Sequence, residues 1–168
     1  MSSLTVQNIQ GSASSSNTIN VASGHKISGA AGSIVAPGHV LQVVSTSAET
    51  ETAFTSSSFF ATSTSVSITP TSTSSKILVT AAMPLQCATS GIIHFTLYRG
   101  STNLAAGSFG RYYDNVNRDN QGNMTFLDSP STTSATTYAV YLKATGGGTH
   151  YYNINNAKST IVAQEIAQ

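Results

Sequence analysis

Two histidines are the first residues whose type and placement could do chemistry. His25 and His39 stand 14 residues apart, each directly after a glycine, in Val21-Ala22-Ser23-Gly24-His25-Lys26-Ile27 and Val35-Ala36-Pro37-Gly38-His39-Val40-Leu41. On the axis of a threefold assembly each would form a ring of imidazoles able to hold an anion or a metal. The spacing belongs to no metal motif, however, and the competing reading is a histidine beside a glycine turn, exposed or packed on a neighbour. A second candidate set is Tyr112-Tyr113 and Tyr151-Tyr152, with Asn115, Asn117, Asn153, Asn155 and Asn156 close by. Flat phenol rings stack on sugar faces and amides bond to sugar hydroxyls, so Tyr112, Tyr113, Asn115, Asn117, Tyr151 and Tyr152 are candidate contacts for a glycan or a protein partner. Against this, adjacent residues of a strand face opposite ways, so one ring of each pair belongs to a core.

Other constellations fall short of a site. Asn117-Arg118-Asp119-Asn120-Gln121-Gly122, with Asp128 in the twelfth place, has the outline of a calcium loop. It lacks the first Asp, the last Glu and flanking helices, and reads as a hydrated loop between strands. Asp114 and Asp119 could act as paired carboxylates only if that loop folded them together. Cys87 has no catalytic signature around it and reads as a small buried hydrophobe. His94 and His150 fall in separate expected strands, with no Ser-His-Asp grouping. There is no nucleophile elbow and no phosphate loop. The expectation is therefore no catalytic residue, no cofactor, no metal and no enzyme activity.

Composition narrows the classes further. The chain has 168 residues, seven basic and six acidic side chains, one Cys and no Trp. Charged residues make up 8% of the sequence, against roughly 25% in an ordinary domain. A net charge of +1 supplies no field for a phosphate backbone, so no nucleic-acid partner is expected. One cysteine excludes an internal disulfide framework and a four-cysteine metal site. No apolar run approaches the roughly 18 residues of a membrane span, and the N-terminus lacks a signal peptide's basic flank and apolar centre. Ser and Thr fill about 50 positions. A surface kept wet by hydroxyls and amides instead of ions suits a chain that stays in a repetitive, β-rich assembly.

The elements that must position these residues are strands. The first 44 residues carry no acid and one base, Lys26, and their glycine-punctuated echo reads as short strand, tight turn, short strand. Pro presets the φ of such a turn and Gly tolerates positive φ after it. Units this short cannot bury a face alone and need a partner surface. The Ser/Thr-rich stretch 45–75 has the composition of a flexible linker, but Phe54, Phe59, Phe60 and the alternation Ser65-Val66-Ser67-Ile68-Thr69, stopped by Pro70, argue for strand. Further strands are expected at Lys76 to Met83 (closed by Pro84), Ile92 to Arg99, Asn103 to Phe109, Met124 to Leu127, Thr137 to Ala144, His150 to Ile154 and Ser159 to Ile166. No stretch holds helical periodicity for three turns. Many short strands at this spacing mean an all-β sandwich or barrel. The expected core is Ile77, Val79, Ile93, Phe95, Leu97, Phe126, Val140, Leu142, Ile161 and Val162.

Several segments together resemble a family. Ser65-Val66-Ser67-Ile68-Thr69-Pro70 followed by Ser74-Ser75-Lys76-Ile77-Leu78-Val79, then Leu97-Tyr98-Arg99-Gly100-Ser101-Thr102, Leu127-Asp128-Ser129-Pro130 and the terminal Ser159-Thr160-Ile161-Val162-Ala163-Gln164-Glu165-Ile166, resemble bacteriophage virion proteins in their order. Leu4-Thr5-Val6-Gln7-Asn8-Ile9 and Pro37-Gly38-His39-Val40-Leu41-Gln42-Val43-Val44 look like the start of the same proteins. The resemblance implies a C-terminal antiparallel jelly-roll sandwich, similar to tumour-necrosis-factor and complement globular-head domains that assemble as trimers, preceded by an N-terminal arm of short strand-turn repeats. It carries no set of functional residues. The expected division is an arm or short stalk at 1–44 and a trimerising domain at 45–168. Two functions stay open. One is a homotrimeric capsid decoration, or cement, protein on the virion surface, bound to phage capsid or tail proteins through the arm. The other is a short tail-fibre adhesin that binds a host surface glycan. Neither inserts into a membrane.

Overall fold

A computed structural model describes residues 21–24, 27, 35–115 and 118–168. The chain divides into two compact units, 1–34 and 35–168. Within the first, Ser23-Gly24 forms the expected turn, with Gly24 at φ 83°. The second is an all-β sandwich whose described residues include no helix long and apolar enough to cross a membrane.

Its strands are β1 (Val40–Ala48), β2 (Thr52–Phe54), β3 (Phe60–Ile68), β4 (Lys76–Cys87), β5 (Gly91–Arg99), β6 (Thr102–Asn103), β7 (Gly110–Asp114), β8 (Asp119–Asp128), β9 (Thr136–Thr145), β10 (His150–Tyr152) and β11 (Ser159–Ile166). Sheet A runs β1-β11-β4-β10-β2, with β8 on the other side of β4. Sheet B runs β3-β9-β5-β6, with β7 also on β5. Every pairing is antiparallel. The longer strands therefore stack four against four, β1-β11-β4-β8 over β3-β9-β5-β7, which is the double-sheet layout of a jelly roll.

Period-2 alternation decides which side chains meet between the sheets. Ile77, Val79, Met83 and Leu85 of β4 and Ile161 of β11 are fully buried against Ile93 and Leu97 of β5 and Tyr138, Val140 and Leu142 of β9. Each such side chain contributes roughly 1.5–3 kcal/mol of transfer free energy. Phe95 needs room made by glycine: a Cβ at Gly110 of β7 or Gly122 of β8 would run into its ring. One polar cluster closes the end of this core. Arg99 donates from Nη1 to both oxygens of Asp128 at 2.8 Å, and the buried Tyr138 hydroxyl donates to Asp128 Oδ2 at 2.6 Å. Burial, then the carboxylate, raise the Tyr138 pKa, so the phenol stays a donor.

Several expectations change. Val162 is not core: it alternates with buried Ile161 and Ala163 and faces outward. Phe126 is half-buried and meets Phe109 edge-on at 5.5 Å between centroids. Pro84 does not end β4. It sits where β11, paired to Lys76–Ala82, has stopped and β10, paired to Leu85–Cys87, has not begun. Its carbonyl accepts from Asn153 N at 3.0 Å on that side. A strand residue's N–H and C=O point the same way, so the missing donor faces this gap and breaks no ladder bond. The strand expected at Asn103 to Phe109 is mostly turn. The Asn103 side chain accepts from Thr96 Oγ1 and Ala105 N and donates to Gly107 O, so it pins the turn in place. Asp119-Asn120-Gln121-Gly122, read as part of a loop, instead begins strand β8, which runs on through the expected strand Met124 to Leu127 and pairs over its length with β4. The boundary expected at 44/45 falls inside β1, which pairs with β11 from Val40 onward.

Candidate functional site

The expected contact residues do not share one surface. Tyr112 and Tyr113 lie on β7 in sheet B, while Tyr151 and Tyr152 lie on β10 in sheet A. In each pair one ring turns inward. Tyr152 is buried beside Phe54 and Phe60. Tyr112 packs against the core, its hydroxyl 2.5 Å from Asp114 Oδ2 and 2.9 Å from Arg118 O. Burial and Asp114 raise its pKa. Tyr151 is half-buried, whereas Tyr113 is 61% exposed. Asn115 is exposed, and Asn117 lies outside the described residues. Asn155 and Asn156 hold the β10–β11 connection, to Glu51 and Asp119 and to the Glu51 amide respectively.

His39 stays at its turn. Gly38 takes φ 87°, His39 N donates to Ala36 O at 3.0 Å and His39 Nδ1 accepts from Ala36 N at 3.3 Å. The imidazole thus closes a local turn. His25 lies outside the described residues. Asp114 and Asp119 are not paired carboxylates: Asp114 accepts from Asn115 N and Arg118 N, whereas Asp119 accepts from Gln86 and Asn155. Among the described residues no cluster of three or more His, Cys, Asp or Glu could hold a metal.

Cys87 and His150 stand opposite each other in the β4–β10 register, a pairing the sequence did not reveal. Both are fully buried. The thiol donates to Gly91 O at 3.7 Å and Tyr112 O at 3.9 Å, and burial raises its pKa. Both His150 ring nitrogens lack a hydrogen-bond partner among the described residues. Burial pushes the His150 pKa down, and the nearby Gly147 backbone offsets this only in part. A protonated thiol and a neutral imidazole, both closed to solvent, have no nucleophilic chemistry to do.

Glu165 on β11 is also fully buried. It accepts from Gln42 Nε2 at 2.6 Å and from Thr71 N and Oγ1 at 2.7 Å each. Burial alone would raise its pKa; the donors of Gln42 and Thr71, with the Ser75 hydroxyl close by, outweigh that and hold it at about 2. Its role is to fasten β1 and the loop after β3 to β11.

The two outward faces of the sandwich differ. On sheet A the register aligns Val43–Gln164–Leu78–Leu127, Ser45–Val162–Thr80–Thr125 and Ser47–Thr160–Ala82–Asn123 across β1, β11, β4 and β8. These three rows of four contain no charge, and Val43 and Leu127 are 56% and 47% exposed. Lys76 and Asp119 bracket the two ends. On sheet B, Lys143 of β9, His94 of β5 and Arg111 of β7 are direct cross-strand neighbours. The next row on one side is Thr145–Ile92–Tyr113. On the other side the Tyr98 and Tyr141 rings stack at 3.8 Å, Phe59 lies 6.3 Å from Tyr98, and Lys143 Nζ sits 4.8 Å over the Phe59 ring. His94 bonds to Ser108 Oγ at 3.1 Å and Thr145 Oγ1 at 3.2 Å. Burial, then Lys143 and Arg111, lower its pKa.

No protein-family model matches the chain, and no curated protein matches it. Solved structures do. A chain in the structure of infectious bursal disease virus, Gx strain, superposes with TM-score 0.52 at 13% identity, over 84% of this chain and 38% of that one. A chain of the VP2 subviral particle of the same virus gives TM-score 0.48 at 11% identity, over 75% and 32%. Thus the present chain spans well under half of the viral chains it matches. At this identity the first likeness is one of fold.

Proposed function

We propose that the chain is a viral structural protein, a homotrimer that decorates the outside of a phage head and clamps neighbouring capsid subunits. The observation that carries this reading is the uncharged outer face of sheet A. An exposed face of this extent without charge is what a subunit contact requires, because no ion has to be stripped of water when it is covered. A fold shared with a chain of a virus particle supports the virion assignment. The implied domain remains a trimeric jelly roll similar to tumour-necrosis-factor domains. Because β1 belongs to the sandwich, the segment proposed to attach to the virion is residues 1–34 instead of 1–44. Virions stripped of the native protein should rebind the full chain but not a chain of residues 35–168. Rebinding of the shortened chain would make the sandwich itself the attachment surface. The second reading, a short tail-fibre adhesin for a host glycan, is favoured by the aromatic and cationic outer face of sheet B.

A further inference from the structure

We infer that the outer face of sheet B is a binding site for a carboxylate-bearing saccharide, with Lys143 and Arg111 taking the acid group and Tyr113, Tyr98 and Tyr141 taking the sugar.

Two permanent cations flank one imidazole in a single row of β9, β5 and β7. Neither Lys143 nor Arg111 has an ion-pair partner among the described residues. The chain has seven basic side chains in all, and two of them stand in this one row with no acid opposite them; Lys143 rests on the Phe59 ring, whereas Arg111 is exposed. Cations grouped without an acid are a departure of the kind that concentrates at functional positions. The inward alternation of β7 keeps Asp114 buried on the far side of the sheet, so the carboxylate nearest in sequence does not face this row.

The flanks of the row decide the ligand class. Tyr113 is the most exposed aromatic ring of the sandwich at 61%, next to Thr145 and Ile92. The hydroxyls of Tyr98, Tyr113 and Tyr141 have no hydrogen-bond partner among the described residues. An open ring face on one side of the row, unpaired hydroxyls on both sides and a pair of cations about 10 Å apart across three strands match a short oligosaccharide that crosses the row, with one of its sugars carrying a carboxylate between the cations, one sugar on the Tyr113 ring and another against the Tyr98 and Tyr141 hydroxyls. A nucleic acid fits worse. Tight phosphate-backbone binding draws on roughly 6–10 cationic contacts, and this face offers two permanent charges and a histidine whose protonation is disfavoured. The inference holds whether the protein decorates a capsid or ends a fibre, since both present this face outward if sheet A makes the subunit contact.

The test uses the purified full chain and calorimetry or glycan-array binding with sialyllactose and oligogalacturonate. Their neutral counterparts, lactose and methyl-esterified oligogalacturonate, run beside them, as does a single-stranded DNA oligomer. Binding of at least one acidic saccharide, with its neutral counterpart at least tenfold weaker, is expected. The pair Lys143→Gln with Arg111→Gln should weaken binding by roughly tenfold or more. Tyr113→Ser should weaken it severalfold. Lys158→Gln, which removes the same charge from an exposed site paired with Glu49, should change nothing. All these side chains face outward, so melting temperatures should stay within a few degrees and separate lost binding from lost fold. No binding of either acidic saccharide, equal binding of the neutral forms, an equal loss in Lys158→Gln, or tighter binding of the DNA would each overturn the assignment.

Discussion

The two outer faces of the sandwich are built by the same device and filled differently. On both, every second residue of a strand points away from the core. Sheet A fills those positions with Val43, Leu78, Val162, Leu127, Ser, Thr, Gln and Asn. Sheet B fills them with Lys143, His94, Arg111, Tyr98, Tyr141 and Tyr113. A face without charge covers itself at little cost in desolvation. A face with unpaired cations keeps its water until an anion replaces it. The difference teaches that a chain with 8% charged residues can still make one face uncharged and the other cationic, by concentrating the few charges it has; on the proposed reading the first is a contact and the second a site.

The sharpest way to break the comparison is to move charge onto sheet A. Leu78→Arg with Val162→Arg, in the middle of the uncharged rows, should convert the proposed trimer to monomer, as read by light scattering at micromolar concentration. Thr145→Arg on sheet B should leave the trimer intact. A trimer that survives the first change and fails with the second would reverse the two faces.

The core between the faces sets a control that must affect both. Phe95→Ala should cost roughly 3–5 kcal/mol in denaturant unfolding, because its ring fills the space left by Gly110 and Gly122. A loss below about 1 kcal/mol would mean that β7 and β8 do not close over it.

Glu165 ties down the edge of sheet A. Its carboxyl, held at about 2 against an ordinary 4.5, adds stability that is present above about pH 4.5 and is lost as pH falls toward 2. By linkage this is about 3 kcal/mol. Glu165→Gln should lose a comparable amount at pH 7 and remove that acid limb. An unchanged acid limb would place it on other carboxylates.

The two histidines sharpen the comparison in a smaller range. His150 in the core and His94 on sheet B both have pKa values below 6.5 in the folded protein. The unfolded chain therefore takes up protons first on acidification. Stability is whole above about pH 6.5 and declines as pH drops below it. Replacing His150 with Phe should flatten that decline with no effect on saccharide binding. His94→Gln should flatten it also but alter the ligand face. Stability that rose on acidification from pH 7 to 5 would contradict both assignments.

Much of the fold was legible because alternation is local. The inward sets Ile93-Phe95-Leu97 and Tyr138-Val140-Leu142 could be read residue by residue, and the outward sets His94-Thr96-Tyr98 and Ala139-Tyr141-Lys143 came with them. What no local pattern supplied was the neighbour of each strand. Tyr112-Tyr113 and Tyr151-Tyr152 look alike in sequence, yet β7 and β10 belong to different sheets. Tyr98 and Tyr141, which do stack, are 43 residues apart. Pro84 misled for a related reason: its cost depends on whether a neighbour needs its N–H, and the gap between β10 and β11 is a property of the sheet.

Composition and alternation alone therefore determined an all-β chain, poor in charge, with one row of each strand buried and the other wet. Those are properties of a residue and its close neighbours, fixed by side-chain polarity and the two-residue repeat of a strand. Tertiary structure alone decided that Lys143, His94 and Arg111 share a row, that Cys87 faces His150, and that twelve uncharged residues of sheet A lie side by side. Lateral register comes from long-range pairing, in which a shift of one residue exchanges the faces, and no short stretch of sequence encodes its partner.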